Sequence, residues 1–186
     1  MKNFMLPLAA SALLLAACGK KEQPAAQTEP QPAQAQPAQA QAAPAAGYAK
    51  KETYFKLPNA AGGELDLAAY AGKPVLVMFF TETCPYCRKA APFIQKVAAS
   101  HGPGLSVVGI CVQDSAQAAK NFAQDFSLTF PLAYKGKEIS RNYRTQGVPY
   151  IYLLDKNHEV YDVWEGYDPQ YDGSILKAVE TVLAGK

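Results

Sequence analysis

Two thiols stand two residues apart in "MFFTETCPYCRKAAP", Met78 to Pro92, where an apolar run gives way to a helical pattern. A Cys-x-x-Cys pair can hold a metal, staple a fold or exchange electrons with another disulfide. A structural zinc site takes four ligands, usually from two such pairs or from one pair and two histidines. Apart from Cys18 near the N-terminus, the candidates beyond Cys84 and Cys87 are Cys111, His101 and His158, at spacings that form no zinc-knuckle pattern. Covalent haem requires a histidine directly after the second cysteine, and Arg88 stands there. A bridge across two intervening residues closes a tiny loop and stabilises little by chain entropy.

Redox exchange fits the positions better. Pro85 suits the first position of a helix, which puts Cys84 at the helix start, where free N–H groups and the macrodipole favour an anion. A thiolate there can attack a disulfide sulfur. Cys87, one turn on, is placed to resolve the mixed disulfide. Cys111, at the end of a second apolar strand, reads either as a small buried apolar residue or as a third redox thiol on the same sheet edge. Glu82, two residues before Cys84, is either a solvated carboxylate or a base for the pair. His101 precedes Gly102-Pro103 as a loop residue, and His158 falls in a turn.

These residues need a frame, and the pattern around them supplies one. "YFKLPNAAGGELDLAAYAGKP" reads as a short strand, a turn at Gly62-Gly63, a strand from Glu64 to Leu67 and a turn at Gly72. Val75–Phe80 is apolar on both faces, as a central strand is. A helix follows from Pro85 to Ser100 with Pro92 inside it, where a bend is expected. "LSVVGICV" is a second buried strand. Ala119, Phe122, Ala123 and Phe126 then recur at helical spacing. "TFPLAY" is a short extended piece, and Glu138–Tyr143 a short helix. "PYIYLLD" and "EVYDVWEGY" alternate around Lys156-Asn157-His158 as an antiparallel hairpin. A final helix carries Ile175, Leu176, Val179 and Leu183 on one face. The succession is α/β with a mixed sheet.

The N-terminus speaks to place. Lys2 and the apolar stretch Phe4–Ala16 form a signal-like segment too short to span a bilayer. It ends in "LAAC", Leu15 to Cys18, which resembles the lipobox of bacterial lipoproteins. The resemblance implies cleavage before Cys18 and acylation of Cys18. An ordinary secretory signal, with Cys18 incidental, is the alternative. Residues 1–17 are then the signal, and residues 18–47 a lipidated cysteine and a tether of Ala, Gln and Pro. The tether has nothing to bury and reaches at most ~80–90 Å in polyproline II form. Residues 48–186 have the size of one domain. The formal charge of +2 is spread along the chain, which argues against nucleic acid as a partner.

The domain resembles the thioredoxin fold, and within it the extracytoplasmic TlpA/ResA-like thiol–disulfide oxidoreductases. The likeness rests on "YFKLPNAAGGELDLAAYAGKPVLVMFF", "CPYC", Pro92 eight residues after Cys84, and "GVPYIYLLDKNHEV". It implies a three-layer fold with a mixed central sheet flanked by helices and an N-terminal strand or hairpin extension. It also implies Cys84 and Cys87 as the redox-active disulfide, framed by Pro85 and Tyr86. Pro149 becomes the cis-proline facing the pair, with Val148 offering backbone groups to an extended substrate. Three positions depart from the pattern. Met78 replaces the buried acid of thioredoxins, Thr83 a tryptophan, and Ala90 the glutamate of many cytochrome-maturation members. The peroxiredoxin signature around a lone cysteine is absent.

The resemblance implies an enzyme of the bacterial envelope, lipid-anchored and facing the periplasm. It would exchange disulfides with thiol- or disulfide-bearing envelope proteins, draw on a membrane electron donor, and need no cofactor or metal. Gly19 after Cys18, where inner-membrane retention would resemble Asp, points to the outer membrane. The competing reading is a thioredoxin-like Cu(I) chaperone, since soft thiolates select Cu(I). Such relatives resemble CxxxC with a distant histidine, whereas this chain has CxxC.

With Met78 in place of a buried acid, no negative neighbour disfavours a thiolate beneath the pair. A favoured thiolate stabilises the reduced form and makes the disulfide more oxidising. The reduction potential is therefore expected above the ~−270 mV of thioredoxin, toward ~−230 to −180 mV. Equilibration in glutathione buffers with gel-shift readout measures it, and a value at or below thioredoxin's refutes the argument.

Overall fold

The structure, a computed structural model, describes residues 51–185. The expected signal, Cys18 and the expected tether lie outside the described residues. Seven strands and four helices follow one another: β1 (Lys56–Pro58), β2 (Glu64–Asp66), β3 (Val75–Phe80), α1 (Pro85–His101), β4 (Ser106–Cys111), α2 (Ala116–Asp125), β5 (Leu132–Ala133), α3 (Lys137–Asn142), β6 (Tyr150–Leu154), β7 (Val160–Glu165) and α4 (Asp172–Leu183). The five-stranded sheet has the order β5-β4-β3-β6-β7. β3 runs parallel to β4 and antiparallel to β6, and β6 and β7 form the hairpin. β1 and β2 pair separately as an N-terminal hairpin.

The sheet divides the core. Leu76, Met78 and Phe80 face one cluster, with Ile94 of α1, Phe122 of α2, and Ile175 and Val179 of α4. Val75, Val77 and Phe79 face the other, with Phe55, Leu57 and Leu65 of the N-terminal hairpin region and Tyr143, Tyr150 and Tyr152. This is the α/β, three-layer, thioredoxin-like arrangement with the expected hairpin extension. All six residues of β3 are buried, as an apolar run with no alternation requires.

Local chemistry sets the joints. Gly62 and Gly63 turn the N-terminal hairpin with φ of 111° and 73°, a region open to glycine at little cost. Ser115 caps α2 by accepting the Ala118 N–H. β2 stops at Asp66, one residue before the expected end. Asp66 accepts the Ala68 N–H and starts a 3-10 turn over Leu67–Tyr70.

Two expectations are corrected. The buried face of α4 is Ile175, Ala178, Val179 and Val182, while Leu183 is 37% exposed. Leu183 belongs to the last turn of the helix, beside Gly104. His101 ends α1 instead of lying in a loop, and its Nδ1 is 3.2 Å from the Val97 carbonyl. His158 does sit in the hairpin turn, with φ of 60°, yet it is fully buried. Its Nε2 lies 3.1 Å from the Tyr70 carbonyl, and its own carbonyl accepts from Thr53 Oγ1 at 2.6 Å. Burial lowers its pKa, outweighing the backbone hydrogen bonds that favour protonation.

Gly136, which leads into α3, is packed against the end of β4. A Cβ there would lie 2.2 Å from Ile110 Cγ2 and 2.9 Å from the Cys111 carbonyl oxygen. Gly136→Ala is expected to cost ~1–3 kcal/mol through overpacking. Urea denaturation reads this as a lower midpoint, and an unchanged midpoint rejects the packing argument.

Candidate active site

β3 ends at Phe80, and the Cys84 N–H reaches back to the Thr81 carbonyl at 3.4 Å. Cys84 is the N-cap of α1, with extended φ and ψ of −66° and 117°. Its Sγ accepts the Cys87 N–H at 3.2 Å, the bond that an N-cap side chain makes to an otherwise orphaned donor. Pro85 fills the first helical position, where its missing N–H costs nothing. The sequence therefore builds the helix start out of the reactive residue.

Across the sheet edge, the Val148–Pro149 peptide is cis, as expected. Cys84 Sγ–H donates to the Val148 carbonyl at 3.4 Å. The Pro149 carbonyl accepts the Gly166 N–H at 2.9 Å, which ties this loop to the end of β7. Cys84, Val148 and Pro149 thus come together at this edge. Tyr86 is 57% exposed beside them, with Lys89 Nζ 5.2 Å from its ring centroid.

The two thiols differ sharply in environment. Cys84 is half-buried, whereas Cys87 is fully buried among Met78, Ala90 and Ala91. Burial pushes the Cys87 thiol well above the usual cysteine range, and the neighbouring Cys84 sulfur, which favours the protonated Cys87 thiol, adds to it. Met78 and Ala90, the two departures in this layer, are each completely inaccessible, so apolar surface replaces charge beneath the pair.

Glu82 is not spent on the pair. Its Oε1 accepts from Asn121 Nδ2 at 2.7 Å, and its backbone N–H donates to Gln113 Oε1 at 2.8 Å. Cys111 Sγ lies 3.7 Å from the same Gln113 oxygen and is fully buried, with its pKa raised by burial and, less, by Glu82. Gln113 and Asn121 were not singled out from the sequence. Gln113 follows Cys111 off the same sheet edge, which is a usable signal. Asn121 arrives on α2 through tertiary packing alone. Arg88, just after the motif, pairs with Asp125 at 2.8 Å and sits over the Phe126 ring, fastening α1 to the end of α2.

This geometry, an accessible sulfur on a helix cap backed by a buried one, is what stepwise thiol exchange requires. Residues 49–170 match the AhpC/TSA family. The chain belongs to that family. ResA of Bacillus thuringiensis subsp. konkukian, a thiol–disulfide oxidoreductase, is 27% identical over 113 residues, covering 60% of this chain and 65% of ResA. The soluble secreted antigen MPT53 of Mycobacterium tuberculosis is 32% identical over 82 residues, covering 44% of this chain and 47% of MPT53. The chain thus spans just under two thirds of that ResA and about half of MPT53. A solved structure of a thiol:disulfide interchange protein, DsbE, from Chlorobium tepidum superposes with a TM-score of 0.66 at 24% identity, over 70% of this chain and 93% of that one, and establishes the fold. The folded unit of this AhpC/TSA member is a thiol–disulfide oxidoreductase domain of the ResA type, with Cys84 and Cys87 as its CxxC pair.

Burial makes the release step depend on pH. In a mixed disulfide at Cys84, Cys87 must deprotonate inside the apolar layer before it can attack. With its pKa raised, its thiolate fraction at neutral pH is small and grows ~tenfold per pH unit. Decay of a preformed mixed disulfide, followed by acid quench, is expected to accelerate with pH through the mildly alkaline range, while alkylation of reduced protein strikes Cys84 first. A flat profile or preferential labelling of Cys87 reverses the assignment.

Proposed function

We propose that the protein is a lipid-anchored thiol–disulfide oxidoreductase of the bacterial envelope, facing the periplasm. It acts on disulfide-bearing envelope proteins as a reductase recharged by a membrane thiol donor. The observation that carries the reading is Cys84 Sγ at 3.4 Å from the Val148 carbonyl, on the open side of the cis-proline loop, with Cys87 buried behind it. An extended substrate lying along Val148 brings its sulfur to Cys84. Cys84 attacks one substrate sulfur and forms an intermolecular disulfide, and the other sulfur leaves as a thiolate. Cys87 then attacks Cys84, frees the reduced substrate and leaves the Cys84–Cys87 disulfide. Two electrons pass to the substrate.

The anchor rests on "LAAC" and Cys18, and the reach on the Ala/Gln/Pro tether of residues 18–47. Several acyl chains hold a protein stably where one is marginal. Gly19 supports the outer membrane as the site of attachment.

A Cys87→Ser chain in the native cell tests both parts. It is expected to accumulate envelope proteins disulfide-linked to Cys84, absent when Cys84 is also replaced. Cys18→Ser is expected to move the protein from the membrane to the soluble fraction. No captured protein refutes the exchange, and unchanged fractionation refutes the anchor.

A further inference from the structure

A small groove adjoins Val148, whose carbonyl accepts from Cys84 Sγ. Tyr86, Val148, Pro149, Glu165, Asp168 and Tyr171 are among the residues around a cavity of about 250 Å³. That is below the ~300–1,000 Å³ of small-molecule pockets and on the scale of one long side chain. Val148 belongs both to this wall and to the hydrogen bond with Cys84 Sγ, so the groove begins where the substrate sulfur must sit.

Its chemistry is one-sided. The wall carries two carboxylates and several tyrosine rings, and no lysine or arginine among the described residues lines it. The carboxylates are held in place. Glu165 stands opposite Tyr150 in the β6–β7 ladder, and Asp168 Oδ1 accepts the Gln170 N–H at 3.0 Å. The end of β7, which carries Glu165, is locked to the proline loop by the Gly166–Pro149 hydrogen bond of 2.9 Å. Aromatic faces attract cations, and Tyr86 already has the Lys89 ammonium over its ring. Preset acceptors and ring faces complement a long cationic side chain.

We propose that this groove is a subsite for a lysine or arginine side chain of the protein substrate, so that disulfides flanked by a cationic residue are reduced preferentially. The inference rests on the thiol-exchange reading above. Glu165 and Asp168 act on binding of the flanking residue and Tyr86 on its stem. The overall charge cannot mimic the effect, because a chain with formal net charge of +2 would favour anionic peptides.

The test uses purified full-length reduced protein and three end-blocked peptides, each with one internal disulfide, that differ only in Lys, Gln or Glu beside the cysteines. Reduction transfers two electrons from the Cys84–Cys87 dithiol and leaves its disulfide. The Lys peptide is expected to react about tenfold faster than the Glu peptide at low ionic strength, with the gap narrowing as salt is raised. In Glu165→Gln/Asp168→Asn the Lys-to-Glu ratio is expected to fall toward one. The ratio is taken within one protein preparation, so a change in folded fraction cancels. Lys89→Gln, which removes the competing cation at Tyr86, is expected to raise the ratio. Equal rates for all three peptides, or a ratio unchanged in the double variant, overturn the subsite and leave thiol exchange standing. Failure to reduce any peptide, while hydroxyethyl disulfide is reduced, overturns exchange with polypeptides itself.

Discussion

Strand β3 is buried on both faces and paired along both edges, to β4 on one side and β6 on the other. A strand so enclosed cannot slip, because a shift of one residue would exchange the two core faces along its whole length. Its C-terminal end is therefore fixed, and the short connection to α1 delivers Cys84 to one place. The same pairing fixes the opposite half of the site. Tyr150 registers with Phe79, so Val148 and Pro149, just before β6, emerge at the level where β3 ends. Cys84 and Val148, separated by 64 positions in the chain, meet because one strand holds both registers.

From that junction follows the asymmetry of the pair. The N-cap faces outward and the third helical position faces the sheet, so Cys84 and Cys87 differ in exposure by helix geometry alone. Met78 from β3 and Ala90 from α1 line the inner position with apolar surface. Desolvation is then the leading influence on the Cys87 thiol, ahead of its neighbour Cys84, while Glu82 is bound by Asn121 and acts on Cys111. Where thioredoxins resemble a design with a buried acid, this chain uses packing. The consequence is a resolving step governed by the cost of forming a thiolate in a low dielectric.

The parts legible in the sequence were those encoded locally. Val75–Phe80 reads as a central strand because it has no polar residue to alternate, and Pro85 and Cys84 announce a helix start. The type and order of the elements, and the meeting of Cys84, Cys87, Val148 and Pro149, followed from those signals and from the family resemblance. What escaped was tertiary. His158 looks like a polar turn residue, yet the N-terminal segment and the 3-10 turn cover it, an arrangement no local pattern encodes. The face of α4 was read from the largest residues, and the small Ala178 proved to be inside while Leu183 stayed outside. Glu165 and Asp168 carry no local signal of a site; they line the groove at the cis-proline loop, to which the Gly166–Pro149 bond ties the end of β7.

The two edges of the sheet show what the N-terminal extension does. At the β5 edge the Ala60 N–H donates to the Leu132 carbonyl at 2.8 Å and the Tyr134 N–H to the Pro58 carbonyl at 3.1 Å, so the β1–β2 hairpin region covers a strand of two residues. At the far edge β7 stays open, with Val160, Tyr161 and Val163 exposed around Asp162. A charge and a register shift in the β6–β7 ladder are means by which open edges avoid pairing with other chains. The extension also supplies Phe55, Leu57 and Leu65 to the core face opposite α1. The N-terminal segment's Thr53 contributes too, accepting the Tyr143 hydroxyl through its carbonyl and donating to the His158 carbonyl. The extension is thus a structural brace on the face away from the CxxC helix. By packing behind Val75, Val77 and Phe79 it completes the burial of β3 on which the position of Cys84 depends.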